Sequence, residues 1–277
     1  MNIGIVGLGL IGGSLCKAIK EYTDHAVFGF DKDFSINSYA VMDGSIDAVL
    51  DDSNINECDY ILLCIYPKAT IEFLREKAPF INSKAVVIDC GGIKRSICDE
   101  CFALSDEFNF SFIGGHPMAG LHHSGYKYSR ATLYKDASMI LTPKNTDDIV
   151  LLEKVTAFIK SIGFSSVTVT TPDKHDEIIA FTSQLAHVVS NAYVKSPQAK
   201  VHKGFSAGSY KDLTRVAKLN ENMWAELFME NKDNLIFEIE HIINALSQYK
   251  DAMENEDTET LKALLKDGSD RKKAIDN

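Results

Sequence analysis

Ile3-Gly4-Ile5-Val6-Gly7-Leu8-Gly9-Leu10-Ile11-Gly12-Gly13-Ser14 is the stretch that decides how this chain folds. An apolar run fit for a strand meets a cluster of glycines, and a helical segment follows to about Glu21. Gly7 permits a tight turn, Gly9 lets a pyrophosphate approach the backbone, and Gly12 lets the helix pack closely on the strand. Leu8, Leu10 and Ile11 fill the rest of this phosphate loop, and the helix N-terminus supplies N–H groups and positive dipole. A second apolar run, Ala26-Val27-Phe28-Gly29-Phe30, ends at Asp31. That is about 20 residues past the glycines, where a ribose-binding acid is expected. Its carboxylate accepts from a 2′-hydroxyl and repels a 2′-phosphate, so NAD is expected over NADP. Lys32 next door softens that preference without reversing it.

The alternation continues outward from this unit. Strands are expected over 60–64 and 85–89, helices over 70–77 and 94–102, and a buried strand over 110–113. A strand over 137–141, an amphipathic helix over 147–162 stopped by Gly163, and a strand over 166–170 complete an α/β, doubly wound Rossmann-type sheet. Ligands of such sheets bind outside the carboxyl ends of the strands. Cys64, Tyr66 and Pro67 fall there, as does Gly91 of Cys90-Gly91-Gly92, so all four are expected beside the cofactor. Gly114-Gly115-His116-Pro117-Met118-Ala119-Gly120 reaches the same edge. Pro117 constrains His116 to an extended conformation, which reads as a histidine displayed on a loop. An imidazole there suits acid–base work near neutral pH.

From Thr171 the character turns helical, which divides the chain into a cofactor-binding domain over 1–170 and a helical domain over 171–277. Thr171-Pro172 reads as a cap and first helical residue, and the helix runs to about 195. Ile178, Phe181, Leu185, Val188, Val189 and Ala192 make its apolar stripe. The opposite face carries Ala180, Ser183, Gln184, His187 and Asn191, without a full charge, which suits a cleft or a subunit seam better than water. A loop over 202–209 leads through Gly208 to Asp212-Leu213-Thr214-Arg215. One long helix is expected from Asn220 to about 253, a last one over 257–266, and a frayed tail beyond. Long helices of this kind bury a second face in a partner subunit.

Bulk properties exclude other classes. The 277 residues, 45% of them apolar, carry a net charge of −10, which disfavours nucleic acid and anionic membranes as partners. The apolar runs are too short for a bilayer, and since the sequence opens directly into a strand, no signal peptide is expected. All six cysteines fall in the first 101 residues, a reduced, cytoplasmic pattern. Cys98 and Cys101 have metal spacing with no second pair, so they read as helix neighbours and no metal is expected.

The phosphate loop, the motif around His116, and Gly208-Ser209-Tyr210-Lys211-Asp212-Leu213-Thr214-Arg215 together give a chain that resembles the prephenate dehydrogenase family, arogenate dehydrogenases included. The resemblance covers nearly the whole chain. It implies NAD-dependent oxidative decarboxylation of prephenate to 4-hydroxyphenylpyruvate, in tyrosine biosynthesis, by a homodimer entwined through the helical domain. Arogenate is the alternative substrate. His116 matches the histidine that polarises the substrate C4 hydroxyl for hydride loss. Arg215 matches the arginine that binds substrate carboxylate, a planar donor on a planar anion. His187 falls at a substrate-pocket histidine and Gly208 where backbone nears the substrate. Asp212 is expected to position the arginine segment, and Trp224 to serve the neighbouring site in the dimer.

Two positions depart from the family pattern. Gly92 stands where members often carry a serine that contacts the histidine, and His122 where many carry an acid. What orients His116 is therefore left open. The rivals are a hydroxyacid-type or imine-reducing dehydrogenase, which would need a helical-domain lysine better placed than Lys195, and a catalytically silent NAD-binding regulator. For the dehydrogenase, kcat/KM is expected to fall on the acid side within pH 5–8 as His116 protonates.

Overall fold

The computed structural model describes residues 1–121 and 123–276. Among them, strands β1 (Asn2–Val6), β2 (Ala26–Phe30), β3 (Ala48–Val49), β4 (Tyr60–Leu63), β5 (Val86–Asp89), β6 (Ser111–Pro117), β7 (Ser138–Pro143) and β8 (Ser166–Val169) form one sheet. Its order is β3-β2-β1-β4-β5-β6-β7-β8, parallel throughout except where β6 meets β7. Alternate strand residues feed two separate cores. Tyr60, Leu62 and Ile88 pack with Leu15 and Ile19 of α1 (Leu10–Tyr22), while Ile61, Leu63 and Val87 pack on the other face. Burial on both faces is why these strands read as unbroken apolar runs.

α2 (Phe34–Met42) leads into β3, and neither was visible in the sequence. Phe34, Tyr39, Val41 and Met42 are all exposed, so α2 shows no apolar stripe to recognise. α3 (Pro67–Lys77) and α4 (Arg95–Phe108) cover one face, and α5 (Ile149–Ser161) joins α1 on the other.

The glycine turn has the expected division of labour. Gly7 has φ +89, and a Cβ there would stand 2.6 Å from the Cys64 carbonyl oxygen. A Cβ on Gly12 would collide with the Gly7 carbonyl oxygen, whereas one on Gly9 would meet nothing within 4 Å.

The helical half comprises α6 (Pro172–Ile179), a wider π-type turn over Ala180–Leu185, α7 (Ala186–Tyr193), α8 (Gly208–Thr214), α9 (Glu221–Glu230), α10 (Lys232–Glu254) and α11 (Thr258–Asp276). Two expectations are corrected here. The single helix from Asn220 breaks at Asn231, a fully buried residue whose side chain donates to the Asp176 carbonyl and to Gln184 Oε1. Apolar spacing runs on through the break, so periodicity alone misses it. The tail is also helical, held by i,i+4 ion pairs such as Arg271–Asp267 and Lys266–Asp270.

Gly12→Ala is expected to destabilise the fold by about 1–3 kcal/mol through overpacking. Gly9→Ala should leave thermal unfolding unchanged and weaken dinucleotide binding alone. Thermal melts and a dinucleotide titration of both variants check the pair.

Candidate active site

A cleft of about 620 Å³ opens at the carboxyl edge of the sheet, a size suited to a small ligand. Ile11, Cys64, Tyr66, Pro67, Gly91 and His116 line it from the sheet side; Gln184, His187, Arg215 and Trp224 line it from the helices. His116 is not on a loop. β6 outruns β5 and continues against β7, with His116 opposite Ile140, because the extended geometry that Pro117 enforces is strand geometry once a partner is present.

The orienting group left open by Gly92 comes from α6. His116 Nδ1 lies 2.9 Å from His175 Nε2, and His175 Nδ1 lies 2.7 Å from Asp176 Oδ1. Asp176 accepts in turn from the backbone N–H of Lys94 at 2.8 Å and of Arg95 at 2.9 Å. α4 has no side-chain cap from its own N-cap residue, Lys94, so a carboxylate from the other half of the chain caps it. The sequence reading missed His175 and Asp176. Their signal was an adjacent His-Asp pair just after the Thr171 cap, where solvated polar residues are the ordinary expectation. It also missed Lys94, which is fully buried and ion-paired with equally buried Asp89.

These surroundings set the charge of the two imidazoles. Burial, then His175 and the Lys94 ammonium, hold His116 well below the usual imidazole range. Burial also lowers His175, against the opposing pull of Asp176. Both rings are neutral at pH 7.

The uncharged face of the helix after Thr171 grips backbone carbonyls. Ser190 Oγ donates to Leu213 O at 2.6 Å and Asn191 Nδ2 to Ala217 O at 3.0 Å, which pins the segment on both sides of Arg215. Gln184 Nε2 donates to Leu227 O at 3.1 Å. His187 donates through Nδ1 to Ser183 O at 2.8 Å, and its ring lies 4.0 Å from that of Trp224. Trp224 thus lines the cleft of its own chain. Gly208 and Asp212 are exposed on α8, outside the lining, and so is Lys195 beyond α7. His122 lies outside the described residues. Gly92 is not demanded by packing, since a Cβ there would stand 3.7 Å from Leu227.

A dinucleotide fits the other end of this edge. Asp31 Oδ2 accepts from Leu8 N at 2.9 Å, which ties the acid expected to bind ribose to the glycine turn, with Lys32 exposed beside it. α1 starts at Gly9 with no side-chain cap and no acid in its first turn, leaving its N–H groups to a phosphate. Gly7, Leu8, Gly9, Leu10 and Gly12 lie along this edge beyond the cleft lining.

A family model described as prephenate dehydrogenase, nucleotide-binding domain, matches residues 15–168, and one described as prephenate dehydrogenase, dimerization domain, matches residues 171–267. A cyclohexadienyl dehydrogenase of Zymomonas mobilis is 28% identical, with 99% of this chain and 96% of that protein aligned. The structure of an A. aeolicus prephenate dehydrogenase in complex with hydroxyphenyl propionate and NAD+ is 29% identical, covers 99% of this chain and 98% of its own, and has a TM-score of 0.85. A Synechocystis arogenate dehydrogenase structure is 26% identical, covers 99% and 100%, and has a TM-score of 0.82.

The neutral imidazoles make stability depend on pH. An unfolded imidazole titrates near 6.5, while folded His116 and His175 resist protonation. Above that pH both states bind no proton and the stability is fully present. Below it only the unfolded state takes up protons, so stability falls by up to about 1.4 kcal/mol per pH unit per histidine. Urea midpoints at pH 7.5 and 5.5 should show the drop, and His116→Gln should shrink it.

Proposed function

The chain belongs to the prephenate dehydrogenase family, and we propose that it converts prephenate to 4-hydroxyphenylpyruvate by NAD-dependent oxidative decarboxylation, in tyrosine biosynthesis in the cytoplasm. The observation that carries this reading is His116 and Arg215 lining one cleft at the carboxyl edge of a dinucleotide-binding sheet. Residues 1–170 hold the cofactor and 171–277 the substrate and the partner subunit. Asp31, a carboxylate held at the glycine turn, supports NAD over NADP.

Bound NAD supplies the acceptor for the hydride that leaves ring C4. His116, neutral in this cleft, takes the C4 hydroxyl proton as the C4 carbonyl forms. Loss of the ring carboxylate as CO₂ then aromatises the ring, and His116 returns the proton to the phenolic oxygen. Arg215 binds carboxylate, with His187 and Trp224 packed as a wall beside it. The protein is acidic overall, so this local cation is what draws an anionic substrate.

Among the described residues no carboxylate lines the cleft. A keto side chain asks for none, whereas the ammonium of arogenate would go unpaired. This favours prephenate. Ile178, Phe181, Phe237, Ile243 and Leu246 are exposed on the helical half, which supports burial in a second copy, as a homodimer.

Purified protein with NAD and prephenate should produce NADH and the keto acid, and arogenate should turn over more slowly. No turnover with either substrate would remove the reading and leave the silent NAD-binding regulator. His116→Asn should cut kcat by about 10²-fold or more with NAD binding intact. Arg215→Gln should chiefly raise KM for substrate. The acid limb of kcat/KM should lie below the ordinary imidazole pKa of about 6.5, because burial, then His175 and Lys94, disfavour protonated His116.

A further inference from the structure

We propose that His175 is the positioning residue of this active site. Seated on Asp176, it holds His116 as the tautomer protonated at Nδ1 and leaves Nε2 bare for the substrate hydroxyl. The inference rests on His116 being the base, as read above, and adds what makes it one.

The argument starts at the far end of the chain of bonds. Asp176 Oδ1 accepts from Lys94 N and Oδ2 from Arg95 N, at 2.8 and 2.9 Å. The Arg95 guanidinium lies 3.6 Å from Oδ2, and Asn231 Nδ2 holds the Asp176 backbone carbonyl at 2.8 Å. With both oxygens accepting at a helix N-terminus, the partner at 2.7 Å, His175 Nδ1, is the donor. A neutral imidazole carries one N–H, so His175 Nε2 is an acceptor. At 2.9 Å from it, His116 Nδ1 must donate. His116 then has no proton on Nε2, the form a general base needs.

Burial favours the neutral form of both rings, which the deduction requires. The arrangement also serves the second half of the cycle. Once His116 has taken a proton, its Nδ1–H still donates to the same His175 Nε2, so no partner has to change. A hydroxyl in place of His175 would lack this directionality, since it can donate or accept by rotating. An imidazole locked by a carboxylate cannot.

The test uses full-length protein labelled with ¹⁵N-histidine at pH 7.5, with His116 signals assigned through His116→Asn. We expect a protonated Nδ1 and a bare Nε2 on His116. His175→Leu should lower kcat about 10–10²-fold, as loss of a ligand-orienting partner commonly does, with KM for NAD unchanged and the Nε2–H form appearing. His175→Gln, which offers Oε1 near the place of Nε2, should recover the Nδ1–H signal and most of kcat. Wild-type His116 protonated at Nε2 overturns the proposal, and so does a His175→Leu enzyme with wild-type kcat. Should His175→Leu fail to fold, the wild-type spectrum and the glutamine variant decide. The spectrum needs no substrate, so absence of turnover with prephenate and arogenate would sink the functional reading while leaving the tautomer result standing.

Discussion

Asp176 holds the two halves of the molecule in register through its two carboxylate oxygens. They accept from the open N-terminus of α4, which belongs to the sheet, while the residue itself belongs to α6. A carboxylate this deeply buried is tolerated because backbone N–H groups, a histidine and a helix dipole all face it. Remove it, and α4 loses its cap and His175 its anchor, and the two halves lose one of the contacts that join them. The buried Asp89–Lys94 pair lies close by, where β5 ends and α4 begins. Sheet edge, helix cap and His116 are thus one connected polar cluster in an otherwise apolar interior.

The parts of this structure that were legible in the sequence are those whose causes are local. Gly7 is forced by its positive φ and Gly12 by the Gly7 carbonyl within one turn, and Asp31 follows from strand length. Unbroken apolar strands announce burial on both faces. What could not be read depends on segments far apart in the chain. His175 looks like a solvated residue at a helix start until α6 lands beside β6, 59 residues earlier. Asn231 looks like one more polar position on a long helix, yet its amide N–H groups donate to α6 and the turn after it while its Oδ1 accepts from Arg95 of α4.

The uncharged face of the helix after Thr171 was legible as a face, though not for what it holds. Gln184 and Asn191 of that face, with Ser190 beside them, bind main-chain carbonyls of the segments that carry Arg215 and Trp224. A charged residue in any of those places would have to shed its hydration to reach a neutral carbonyl. Arg215 is therefore held through its backbone, and its guanidinium is left to the cleft. Family motifs pointed to Arg215, but the two bonds that flank it explain why an exposed arginine keeps its place.

The wide turn over Ala180–Leu185 acts as a phase shifter in this scheme. Such a turn accommodates one residue more than an α-helix does, so everything after it is rotated by about 100° relative to a regular continuation. The residues before it, His175 and Asp176, address the sheet, and those after it, His187, Ser190 and Asn191, address the roof of the cleft. A one-residue deletion inside the turn would give a more regular helix and a worse enzyme, because the two sets of contacts could no longer be made by one rod.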